Sequence, residues 1–142
     1  MGNRTLCLLK PDCIESGLIG AVIQHLEREE FKIHSAKMVY MTREVAEEFY
    51  SVHKGESFFV DLVNFMVSGR SFAMVLEREN AVEKLREVIG ATDPKEAKEG
   101  TIRFKYAENK QNNIIHASDK KENAEREIRF FFSNKELIEN GM

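Results

Sequence analysis

Ser71–Leu76 reads SFAMVL, with apolar residues at both odd and even positions. A half-buried strand alternates, whereas one enclosed on both faces does not, so this run is expected to be the central strand of a sheet. Just after it, Asn80 with Glu83 three residues on should open a helix that turns Val82, Leu85 and Ile89 inward and ends at Gly90. Before it, Thr42 is a good N-cap for a helix carrying Val45, Ala46, Phe49 and Tyr50. A second stripe of Phe58, Phe59, Leu62, Val63 and Met66 stops at Gly69. These two segments form a helical hairpin. Further out, Phe31–Met41 alternates but changes phase between Ile33 and Ala36, as a strand with a β-bulge or with burial on both faces would.

Arg4–Lys10 (RTLCLLK) is a short apolar strand closed by Lys10, Pro11 and Asp12, because proline cannot donate to a ladder. Ile19, Val22, Ile23 and Leu26 fall at i, i+3, i+4 and i+7, which places a helix within Leu18–Glu29. From Ala91 to Asn113 periodicity vanishes, and a loop that long inside a domain is usually functional or disordered. Ile114, Ile115 and His116 make a short fourth strand. Asp119 with Glu122 is expected to cap a last helix through Phe131, leaving Ser133–Met142 as a short tail. The order β α β (αα) β α β α fits an α+β, ferredoxin-like βαββαβ sandwich. It predicts a four-stranded antiparallel sheet with helices, an inserted helical hairpin and one long loop. Such a fold specifies no function by itself.

The length of 142 residues suits one domain spanning 1–142, and 42% hydrophobic residues can fill its core without disulfides or a structural metal. No apolar run is long enough to cross a bilayer, and the N-terminus lacks a signal-peptide h-region, so a soluble cytoplasmic protein is expected. Cys7 and Cys13 lie outside any CxxC or metal spacing; Cys7 reads as a core residue and Cys13 as partly exposed. With 21 Lys+Arg against 24 Asp+Glu the net charge is −3, no footprint for nucleic acid as a main partner.

Two features break the pattern. In the last helix Ala124, Ile128 and Phe131 define an inward stripe whose remaining position is Glu127. A buried carboxylate needs a donor, and His116 on the neighbouring strand could be one; alternatively Glu127 sits at the stripe's edge and reaches water. A carboxylate on one ring nitrogen would orient the imidazole and leave the other nitrogen as a nucleophile. The second feature is basic: Lys10, Arg86 and Arg103 are each ordinary surface charges alone, but together they would clamp a polyphosphate. No G-x-x-x-x-G-K-[ST] or G-x-G-x-x-G occurs, so side chains rather than a glycine loop would hold phosphates. His25, His34 and His53 have no metal partner at helical or strand spacing.

Asn113-Ile-Ile-His116-Ala-Ser118-Asp119 resembles the active-site segment N-x-x-H-[GA]-S-D of nucleoside diphosphate kinases. The resemblance extends in order through Lys10-Pro11-Asp12, Phe49-Tyr50, Phe58-Phe59, Leu62-Val63, Gly90-Ala91-Thr92, Gly100-Thr101-Ile102-Arg103 and Glu127-Ile128, covering about Arg4 to Phe132. It implies ping-pong transfer of the γ-phosphate of a nucleoside triphosphate, mainly ATP, to a nucleoside diphosphate, maintaining the (d)NTP pools. His116 would carry the phosphoryl group on Nδ1, Glu127 would hold the other nitrogen and Ser118 would orient Glu127. Asn113 and Lys10 would donate to the transferring group, with Tyr50 positioning Lys10. Arg86, Thr92 and Arg103 would bind outer phosphates, while Phe58 would stack on the base and Leu62 line its pocket. The long loop would be nucleotide-binding. Mg2+ would arrive bridging nucleotide phosphates, and the protein would be a homo-oligomer, tetramer or hexamer.

The chain departs from the family at several places. Lys110 stands where an apolar residue closes the base's other face, Lys105 where an acid is usual, Ser57 and Arg70 at common prolines, and Arg78 at a frequent glycine. A non-catalytic nucleotide sensor and a nucleic-acid regulator using Lys105, Lys110, Lys120 and Lys121 are the rival readings; the first would bind nucleotide without a phosphoenzyme.

Overall fold

In the computed structural model, which describes residues 3–141, β1 (Arg4–Leu9) ends just before Pro11, and the chain enters a helix at once. Met1, Gly2 and Met142, which belong to the terminal segments considered above, lie outside the described residues. That helix, α1 (Pro11–Glu15), is absent from the sequence reading, although proline's fixed φ suits a first helical position. There follow α2 (Ile19–Arg28), β2 (Lys32–Val39), α3 (Arg43–Phe49), a 3₁₀ turn at Ser51–His53, α4 (Phe59–Met66) and β3 (Ser71–Glu77). The second half holds α5 (Ala81–Ile89), α6 (Ile102–Tyr106), β4 (Ile115–Ala117), α7 (Lys121–Phe131) and α8 (Asn134–Glu139).

The four strands form one antiparallel sheet in the order β2-β3-β1-β4, and β3 pairs on both sides, as its unbroken apolar run requires. The β2 register slips between Ile33 and Ser35, the bulge that the phase change announces. Alternation along the strands divides the interior into two cores. Cys7, Leu9, Met74 and Leu76 pack with Val22, Leu26, Leu85 and Ile89 of α2 and α5. Leu6, Leu8, Ala73 and Val75 pack with Ala46, Phe49, Val63, Met66 and Ile128 of α3, α4 and α7. This is the α+β, ferredoxin-like sandwich with an inserted helical hairpin.

Several local expectations are corrected. Asn80 adopts a left-handed φ of +52° and makes no side-chain cap, because capping requires extended backbone there; Glu83 therefore completes no capping box. Asp119 does not cap α7: its Oδ1 accepts from Asn123 Nδ2 at 2.6 Å, and the N-cap position falls on Lys120. The supposed tail contains α8, opened by a capping box between Ser133 and Glu136 and docked through buried Leu137. Cys13 is buried with Cys7 in the first core rather than partly exposed, and both thiols are free. The long loop is only partly irregular: Thr101 Oγ1 caps α6 by accepting from Phe104 N–H. Gly90, with φ +91°, makes room for that cap, since a Cβ there would lie 2.5 Å from Thr101 Oγ1.

Candidate active site

The site forms where β1 runs out beside β4. Main-chain Lys10 N–H donates to Ile114 O at 2.8 Å, which ties the end of β1 to the segment entering β4. The Lys10 side chain is almost wholly buried, and its Nζ donates to Gln111 O (2.9 Å) and to Asn113 Oδ1 (2.8 Å). Burial pushes its pKa down to about 8; neighbouring Asp12 opposes that shift and Arg103 adds to it. No described hydrogen bond joins Tyr50 to Lys10. Tyr50 instead presents an edge to His116, with ring centroids 5.9 Å apart, and burial followed by the charge of Glu127 drives its pKa upward.

On β4, His116 Nε2 donates to Glu127 Oε1 at 2.9 Å, and Ser118 Oγ donates to the same oxygen at 2.6 Å. Glu127 is buried at 6% exposure, so the choice left open by its place on the helix falls to the inward one. Burial opposes its charge, but His116, Ser118 and Arg126 outweigh burial and hold the carboxyl below its ordinary range. Arg126 Nη2 lies 3.6 Å from Glu127 Oε2. The imidazole is thereby fixed with Nδ1 left over, packed edge-on by Phe49 at 5.2 Å.

Arg103 is buried and braces the backbone around the site. Its Nε, Nη1 and Nη2 donate to Asn113 O (3.3 Å), Gly90 O (3.0 Å) and Ile115 O (2.6 Å). Burial, then Arg86, lowers its pKa to about 10, which still leaves it cationic at neutral pH. Arg86 Nη1 donates to Ala117 O at 3.2 Å, and Asn113 Nδ2 to Thr92 O at 3.2 Å. Lys10, Tyr50, Phe58, Leu62, Arg86, Thr92, Arg103, Asn113, His116 and Glu127 all line one cavity of about 710 Å³. Ser118 lies behind Glu127, fully buried.

Sequence reasoning missed several groups here. Val52, His53, Gln111, Asp119, Asn123 and Arg126 also line the cavity; Asp119, which closes the segment Asn113–Asp119, and Arg126, next to Glu127, are the two with a signal in the sequence. Asp12 works from beneath: its Oδ2 accepts from Ile114 N–H at 3.0 Å. Two departures have local roles. The Arg78 guanidinium sits 5.3 Å over the Phe31 ring, and Lys105 Nζ is 3.4 Å from His25 Nδ1, away from the cavity. Among the described residues no cluster of three His, Cys, Asp or Glu could hold a metal ion. Of the cavity's two carboxylates, Glu127 is committed to His116 and Ser118, leaving Asp119.

Comparison with known proteins gives the family and the fold. A family model described as nucleoside diphosphate kinase matches residues 3–137. The nucleoside diphosphate kinase of Chlorobium chlorochromatii is 53% identical over 138 residues, covering 97% of this chain and 99% of the relative. That of Staphylothermus marinus is 52% identical over 137 residues, covering 96% and 97%. Among solved structures, the Aquifex aeolicus nucleoside diphosphate kinase superposes with a TM-score of 0.91 at 44% identity, over 94% of this chain and 97% of that one. A Halobacterium salinarum nucleoside diphosphate kinase in complex with CDP gives 0.90 at 40% identity, over 94% and 89%. On these matches the chain belongs to the nucleoside diphosphate kinase family of enzymes.

Proposed function

We propose that the chain, as one domain, is a nucleoside diphosphate kinase that passes the γ-phosphate of ATP to other nucleoside diphosphates through a phosphohistidine, maintaining (d)NTP pools. The observation that carries this reading is His116 held at Nε2 by buried Glu127 inside a cavity that also receives Lys10, Arg86 and Arg103. In the first half-reaction the Nδ1 lone pair attacks the γ-phosphorus in line. The bond to the bridging oxygen breaks and its electron pair leaves with the nucleoside diphosphate. In the second, a terminal oxygen of another diphosphate attacks the same phosphorus, and the P–N pair returns to Nδ1. Glu127 stabilises the positive charge the ring acquires in each transfer, and Ser118 keeps Glu127 aimed at it.

Lys10 and Asn113 donate to the phosphoryl oxygens, while Arg86, Thr92 and Arg103 hold the outer phosphates, so preorganised donors meet the transition-state charge. Tyr50 packs beside His116 and limits its rotation. Phe58 stacks on the base with Leu62 beside it, and a π-face contact accepts every base. Besides Glu127 the cavity's lining has one carboxylate, Asp119, whose Oδ1 already accepts from Asn123, so a donor set this sparse fits Mg2+ that would come with the nucleotide and find in Asp119 at most one protein group to hold it. When bound with the nucleotide, Mg2+ supplies neutralisation of phosphate charge. The proposal extends to a cytoplasmic homo-oligomer, tetramer or hexamer; among the described residues no helix is long and apolar enough to cross a membrane.

The test mixes purified protein with Mg2+ and γ-labelled ATP, traps acid-labile phosphoenzyme, and chases it with GDP. Label should appear on the wild type, move to GDP, and be absent from folded His116→Ala. Nucleotide binding without any label would overturn the kinase reading in favour of a sensor.

A further inference from the structure

The turn that brings Gln111 to Lys10 also carries a cation that the proposed chemistry leaves unused. Asn109 Oδ1 accepts from the main-chain N–H of Gln111 (3.0 Å) and of Asn112 (2.8 Å), and Glu108 N–H donates to Asn112 O (2.9 Å). These bonds make Glu108–Asn112 a fixed turn with Lys110 at its tip. Its inner side is pinned where Gln111 O accepts from Lys10 Nζ. The same ammonium lies 5.3 Å from the Phe65 ring centroid. Phe58, Leu62 and Phe65 follow at i, i+4 and i+7, one helical face leading away from Lys10. Turn and helix face thus bound one cleft, and Lys110 and Phe58 both line it. Lys110 is exposed, and no ion pair among the described residues includes it.

We propose that Lys110 lays its alkyl stem against the face of the base opposite Phe58 and carries its ammonium past the ring to read the exocyclic group of the nucleobase. It favours bases with a carbonyl there, O6 of guanine or O4 of uracil and thymine, over bases with an amino group, adenine and cytosine. This rests on the reading that the base stacks on Phe58. An ammonium has three donors and no acceptor, so a carbonyl oxygen gains a charge-assisted bond from it. An exocyclic amino group is itself a donor and gains nothing, while the ammonium still gives up water. Guanine and adenine both present N7 on this edge, so the purine contrast rests on O6 against N6–H2, two neighbouring acceptors in guanine against one in adenine.

Calorimetric titration of GDP, UDP, ADP and CDP against the wild type, Lys110→Met, Lys110→Arg and Phe58→Ala tests the idea without relying on turnover. The wild type should bind GDP over ADP, and UDP over CDP, by roughly fivefold, the worth of a charged hydrogen bond cut down by solvent exposure to that of an ordinary one. Lys110→Met should bring both ratios towards one, and Lys110→Arg should keep them. Equal weakening of all four nucleotides in Lys110→Met would assign the lysine to the phosphates and overturn the proposal, as would no change at all. Phe58→Ala should weaken all four. If it weakens none, the base subsite itself is misplaced and the selectivity argument fails with it, whereas loss confined to the Lys110 results leaves the stacking reading intact.

Discussion

His116 keeps one ring nitrogen unspent in the lining of the cavity, because the other is taken by Glu127 at 2.9 Å, and the carboxylate that takes it is buried. Glu127→Gln keeps the volume but removes the anion that favours a positively charged ring. The phosphorylation rate of His116 in rapid-quench experiments should fall between about 10- and 100-fold with little change in nucleotide affinity. An unchanged rate would mean that packing by Phe49 and Tyr50 alone sets the imidazole. Lys10 gives a pH prediction whose sign follows from its depressed pKa of about 8. The folded chain loses that proton before the unfolded chain does, near its ordinary 10.5. Burying the charge therefore costs stability in full below pH 8, and the cost is relieved as pH rises from 8 towards 10.5. Bound phosphate favours the charged form, so nucleotide affinity should decline across the same interval while stability to urea improves, a pairing that Lys10→Met should abolish. The site was legible at this scale only in part. His116, Glu127 and the three cations stood out by residue type and phase, whereas the Gln111 carbonyl that holds Lys10 is main chain and leaves no mark on the sequence.

The elements place these residues through one strained junction. Ile114 has φ +75°, a conformation that a β-branched side chain rarely accepts, and Ile115 N–H donates to Asn113 O at 2.8 Å across it, closing a γ-turn. Three contacts hold the junction. Asp12 Oδ2 accepts from Ile114 N–H, Ile114 O accepts from Lys10 N–H, and the side chain is buried in the first core. The turn sets Asn113 on one side and His116 on the other, so strain of about 1–3 kcal/mol is spent on registering the site. Asp12→Ala should let the turn relax, lowering both Tm and phosphorylation rate, while Asp12→Asn, which still presents an oxygen, should recover most of each. Equal loss in both variants would point to the carboxylate charge rather than the turn. Burial raises the Asp12 pKa despite the opposing Ile114 N–H and Lys10, so the neutral amide carries no stability penalty of its own. The same junction shows why strands and long helices were readable and small elements were not. Periodicity announces SFAMVL and the stripe of α2, but α1, α6 and the γ-turn are too short to carry a period and exist through Pro11, Thr101 and Asp12 acting locally.

At the scale of the whole molecule the sheet is unequally covered. Strands β3 and β1 are enclosed between two helical layers, and α8 covers one face of β2 through Lys37–Glu136 at 2.8 Å and Asn140–Ser35 at 3.0 Å. The opposite face of β2 is left with Ala36 and Met38 exposed, Tyr40 follows at 61% exposure, and β2 is an outer strand of the sheet. An uncovered edge strand flanked by apolar side chains is a liability that proteins resolve by pairing or shielding it. A two-fold axis beside β2 would do so with one patch meeting its copy, the commonest way in which larger closed assemblies begin. Light scattering on the purified chain should therefore return a multiple of the monomer mass. Met38→Glu, which places like charges opposite each other across that axis, should lower it by at least one step of assembly. The cavity lies at the far side of the sheet, beside β1 and β4, so phosphorylation of His116 by labelled ATP should survive in the smaller species. A variant that keeps the full mass would move the interface off β2, and one that loses phosphorylation together with mass would mean that a neighbouring copy helps to build the site.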